Sequence, residues 1–129
     1  MEQFRRDALL DRLGYDLIQT DEMFKPLRDA HIGFLFSDKP KHNGEQMVYG
    51  TCFKVSPREK FFSDYDFVIV IYEPNVQNIE ISEEGLRRLL VHELMHAQYE
   101  DGRASIKPHD LEDVKYMIDT WGSEWMYVE

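Results

Sequence analysis

Two histidines and a glutamate carry the chemistry of this 129-residue chain: His92 and His96, with Glu93 between them, in Leu89-Leu90-Val91-His92-Glu93-Leu94-Met95-His96-Ala97. On a helix, residues four apart share a face. The H-E-x-x-H spacing therefore aims two imidazoles at one cation. It sets Glu93 about 100° round the helix, beside the cation instead of on it. Zinc hydrolases use this arrangement: two neutral nitrogen ligands, a third ligand from elsewhere, an open fourth position and a carboxylate next to the activated water. Zinc is the metal expected, because imidazole suits it. Glu93 is the expected general base. The ligands must be neutral, so metal should be lost as pH falls below about 6.

A third ligand has to come from outside the helix. His109, thirteen residues on in Lys107-Pro108-His109-Asp110-Leu111-Glu112-Asp113, is the leading candidate, because a chain reversal before it can return it to the pair. Glu112 or Asp113 would take its place in a glutamate-type site. Asp110 and Asp113 are otherwise expected to accept hydrogen bonds from ligand imidazoles. Donors for an oxyanion are sought in Tyr99, on the ligand face if the helix runs that far, and in Tyr116 and His31. His42 lies in a turn-rich stretch and is expected in solvent.

The elements that must position these groups follow from periodicity. Ser82 reads as an N-cap with acids in the first turn, and Leu86, Leu90, Leu94 and Ala97 form an apolar side opposite the histidines. That predicts a buried helix. Upstream, Ala8, Leu9, Leu13, Leu17 and Ile18 predict a helix over 5–20, with Gly14 a weak point in it. Residues 21–27 are a break or a short second helix at Pro26. Strands are expected at 31–36, 47–55 and 66–72. The last is an apolar run buried on both faces. Asn43-Gly44 and Asp101-Gly102 mark turns, and 56–60 a loop. Arg103 to Lys107 is a linker or strand. Leu111, Val114, Ile118 and Trp121 predict a final helix capped by Asp110 and stopped by Gly122. The order is helix, three strands, helix, helix: one α+β domain over 1–129, with a small sheet against the metal helix.

Composition excludes other classes. Hydrophobic content of 43% with 13% aromatics fits a packed core. No run is long enough to span a membrane, and the polar start carries no secretory pattern. The single Cys52 is read as a small buried strand residue, without the surroundings that activate a thiol, so a cytoplasmic setting is expected. The net charge is −10, concentrated in residues 73–129, where five basic side chains face thirteen acidic ones. Such a surface repels phosphate backbones, so direct nucleic-acid binding is not expected. A competing reading follows from the same charge. The chain would be an acidic binding module for a host protein, with a structural or vestigial zinc site, as a nucleic-acid mimic would be.

The stretch from Leu90 to His96, followed by Ile106 to Val114 with its P-H-D-x-E-D, resembles the phage metallopeptidase family. Phe53-Lys54-Val55 and Asp66 to Ile71 are similar to the two strands that precede the zinc helix there. The likeness covers about residues 5–125. It implies a minimal zincin, distantly similar to SprT-like and ImmA/IrrE-like peptidases, with His92, His96 and His109 as ligands and Glu93 as the catalytic acid/base. It also implies a protein or peptide substrate and phage or prophage origin in a bacterial host.

Overall fold

The computed structural model describes residues 1–108 together with Thr120 and Trp121. It is a mixed α+β fold. The chain runs β1 (Phe4–Arg5), α1 (Ala8–Thr20), a 3₁₀ helix (Glu22–Asp29), β2 (Ile32–Ser37), a small hairpin of β3 (His42–Asn43) and β4 (Gln46–Met47), and β5 (Gly50–Lys54). It continues through α2 (Pro57–Lys60), β6 (Phe67–Tyr72), α3 (Glu73–Asn78), α4 (Glu83–Leu94) and a second hairpin of β7 (Ala97–Glu100) and β8 (Arg103–Ile106). The main sheet has the order β1-β2-β6-β5, with β2 parallel and β5 antiparallel to β6.

The central strand is β6. Its Phe67, Ile69, Val70, Ile71 and Tyr72 are all buried, as its unbroken apolar run requires. Helices α1 and α4 lie together on one face of the sheet, α1 against β2 and α4 against β5 and β6. Leu10, Leu17, Phe34, Ile69, Leu90 and Leu94 form the core between them. Asp7 caps α1, its carboxylate accepting from the Leu10 amide at 3.1 Å. Ser82 caps α4, accepting from the Gly85 amide at 3.0 Å. Arg87 and Arg88 of α4 lie against the Trp121 ring.

The structure amends the expected elements in several places. The sheet gains a fourth strand, because Phe4 and Arg5 pair with Phe36 and Ser37. The first helix therefore starts at Ala8, not Arg5. Residues 22–29 form a 3₁₀ helix with Pro26 inside it. Asp21 caps it, and Phe24 and Leu27 are buried. Ser56 caps a short helix in the expected loop. Directly after β6, Pro74 lies in the first turn of α3, where proline is favoured. At the Asp101-Gly102 turn both residues take positive φ, 51° and 76°, the pattern of a two-residue type I′ loop. Thr120 and Trp121 are helical. The rest of the expected C-terminal helix lies outside the described residues.

Gly14 has a packing reason. A methyl group there would run into the Phe34 ring, so its absence lets α1 lie flat on the sheet. Gly14→Ala should therefore destabilise the fold by about 1–3 kcal/mol, despite alanine's better helix propensity. A urea titration of the two proteins checks the sign; equal or greater stability of the alanine form would contradict this packing.

Candidate functional site

The last turn of α4 and the turn after it bring the two histidines together. Their ring centroids are 5.1 Å apart and the rings are perpendicular. Two imidazoles on one tetrahedral ion, at metal–nitrogen distances near 2.0–2.1 Å, have centroids roughly 5 Å apart. The observed separation matches that spacing.

The helix does not extend through His96. It ends at Leu94, with Met95 as its C-cap, and His96 sits in the turn that leads into β7. A second contact replaces the lost helical support. The Nδ1 of His96 lies 2.7 Å from the Lys107 carbonyl, and the Lys107 amide donates to the His96 carbonyl at 2.7 Å. A carbonyl only accepts, so Nδ1 carries the proton and Nε2 holds the lone pair. That is the tautomer of a metal ligand whose other nitrogen is fixed by a backbone oxygen. The donor set therefore fits a metal.

Glu93 is 4% exposed. Burial pushes its carboxyl up to about 8. It faces β5 at Gly50, where a Cβ would come within 3.2 Å of the Glu93 Cγ and Oε2 and 3.0 Å of the Ile71 Cδ1. The strand passes this close because that residue has no side chain. Cys52, on the same face of β5, is buried, and its thiol is pushed up to about 12 by burial and by the charge of Glu93. It is a packed strand residue, as expected.

Glu93 and His96 open onto a cleft of about 420 Å³. Gly50, Thr51 and Cys52 of β5 form one wall, and Ile106, Lys107 and Pro108, returned by the β7–β8 hairpin, form another. Lys41, His42 and Asn43 of the first hairpin complete it. Asn75, 1% exposed, holds that hairpin: its Nδ2 donates to the carbonyls of Lys41 at 2.7 Å and Val48 at 2.6 Å. Neither Gly50 nor Asn75 stood out in the sequence. A glycine in a strand and an asparagine after a proline were the available signals, and both have commoner local explanations.

Other candidates separate. His31 stacks on Tyr65 at 3.8 Å and faces Asp64, away from the cleft. Tyr99 is on β7, since the helix stops short of it, and lines another cavity with Phe24 and Leu27. His42 is exposed, as expected, but stands at the cleft rim. His109, Asp110, Glu112, Asp113 and Tyr116 lie outside the described residues. Among the described residues no group of three or more histidine, cysteine or acidic side chains is set to hold a metal ion. No described helix is long and apolar enough to cross a membrane.

A family model described as "Putative phage metallopeptidase" matches residues 2–128. No curated protein matches, and no solved structure does.

Proposed function

The chain belongs to the phage metallopeptidase family, and from that membership and the cleft around Glu93 we propose that it is a zinc endopeptidase. The observation that carries the reading is the His92–His96 pair, 5.1 Å apart, with the buried Glu93 between them in sequence. His92 and His96 would hold the metal, with His109 as the third ligand, by the family resemblance. A bound zinc ion supplies Lewis acidity for a carbonyl and a water.

The chain's own residues do the rest. Glu93 takes a proton from the attacking water at a carboxylate oxygen. It then returns that proton to the amine of the departing chain as the C–N bond breaks. Burial raises the affinity of this carboxylate for a proton, and the positive charge of a cation held by His92 and His96 would keep it ionised until it takes one from the water. The Lys107 carbonyl fixes the ring of His96. Substrate enters as an extended peptide along β5. That strand pairs only with β6 among the described residues, and its free edge borders the cleft. The family's phage association supports a setting inside a bacterial host.

Metal removal tests the reading. Protein loaded with one equivalent of zinc should cleave an unfolded protein substrate. Chelation should stop cleavage, and added zinc should restore it. Cleavage that continues after the metal has been stripped would overturn the mechanism.

A further inference from the structure

Gly50 and Glu93 meet across the space between β5 and α4. A Cβ on Gly50 would stand 3.2 Å from both the Cγ and the Oε2 of Glu93, and 3.0 Å from the Cδ1 of Ile71. Non-bonded carbon atoms ordinarily settle at about 3.5–4.0 Å, so a side chain at position 50 forces something to move.

The surroundings decide what moves. The backbone of β5 is held: Gly50 pairs with Ile71 in the ladder with β6, and the Tyr49 carbonyl beside it accepts from the Tyr72 amide at 3.0 Å. Leu90 and Leu94, both fully buried, anchor α4 in the core. Ile71 is fully buried as well, and a close-packed core leaves its side chain little room to swing. The Glu93 side chain borders open volume, the cleft of about 420 Å³. A Cβ at position 50 is therefore accommodated by Glu93 turning away from β5. Cys52, two residues on and on the same face of β5, is small too and lies close enough to feel the charge of Glu93.

We propose that Gly50 is a positioning residue for Glu93: the space left by its missing side chain is the seat of the carboxylate, and it fixes where that carboxylate stands in the cleft. The consequence for catalysis rests on the peptidase reading; the contact itself does not. A proton passes only within hydrogen-bond reach, and a misplacement of about 1 Å can cost on the order of 10²-fold in rate. Strand propensity points the other way. Glycine weakens a strand interior, so alanine or valine at position 50 would strengthen β5 if Glu93 were not there.

Gly50→Ala and Gly50→Val test this, each combined with Ile71→Val, which removes the Cδ1 and leaves the approach to Glu93. With zinc-loaded protein and a peptide substrate, kcat should fall about tenfold for alanine and about a hundredfold for valine. KM should stay within about twofold and zinc at one equivalent. A second readout needs no cleavage. In metal-free protein, Gly50→Ala/Ile71→Val should lower the urea midpoint, relative to Ile71→Val alone, when Glu93 is kept, and should not lower it in the Glu93→Ala background, where the seat is empty. If the unmodified protein cuts no peptide but the midpoints show this coupling, the peptidase reading fails and the seat stands. Unchanged kcat, a rise in KM alone, loss of zinc, or equal midpoint shifts in the two backgrounds would overturn it.

Discussion

Glu93→Gln lowers the rate of peptide cleavage by about 10³-fold, the scale of losing a positioned general base, while zinc stays bound. Glutamine keeps the shape of the side chain and its contact with Gly50 but cannot carry the proton. Turnover and metal content are to be measured on the same sample. Cleavage within tenfold of the unmodified rate would remove Glu93 from the mechanism. Loss of zinc with loss of cleavage would make it a ligand instead. The same substitution has a second expected effect in the metal-free protein. Burial holds the Glu93 carboxyl up to about 8, so between about 4.5 and 8 the unfolded chain gives up this proton and the folded one keeps it. Stability from this group is greatest below that window and declines as pH rises through it. Glu93→Gln abolishes the decline, making the metal-free protein more stable at pH 8 by a few kcal/mol and leaving it little changed at pH 4. Chemical unfolding at the two pH values reads the difference.

His96→Ala abolishes stoichiometric zinc binding, and with it cleavage. The expected loss of affinity exceeds the roughly 10- to 100-fold that follows from removing an outer hydrogen-bond partner, because a ligand itself is gone. The ring also anchors Lys107, so the variant loosens the return of β8 to the cleft. His92→Ala separates the two effects: it should also remove zinc but keep the His96–Lys107 contact. Competition against a chromogenic chelator measures both affinities. In the unmodified protein, zinc should leave as pH drops below about 6, when imidazole protonates. Zinc held at full occupancy by His96→Ala would place the metal elsewhere.

What could be read from the sequence was what is local. The cap Ser82, the turn at Asp101-Gly102, the apolar run of β6 and the spacing of His92 and His96 each depend on a few neighbouring residues. The α+β class followed from them. What could not be read depends on partners far along the chain. Gly14 looked like a flaw in a helix until Phe34, twenty residues away, was packed on it. Gly50 gained its meaning only from Glu93, and Asn75 only from the carbonyls of Lys41 and Val48. Phe4–Arg5 is too short to show a period. The end of α4 at Leu94 was missed because periodicity continues to Ala97, whereas the backbone has already turned to form β7. That early end took Tyr99 off the ligand face.

Among the described residues β5 is paired on one side only. The peptide groups of the alternate residues that point away from β6 can accept one extended chain, and equally the matching strand of a second copy. Mutual repulsion between copies of charge −10 opposes such stacking in dilute neutral buffer. Concentrated salt screens that repulsion, and acid discharges the carboxylates behind it. Filaments or precipitate should therefore set in first under those two conditions, and a peptide lying in the cleft should act as a solubiliser by blocking those groups.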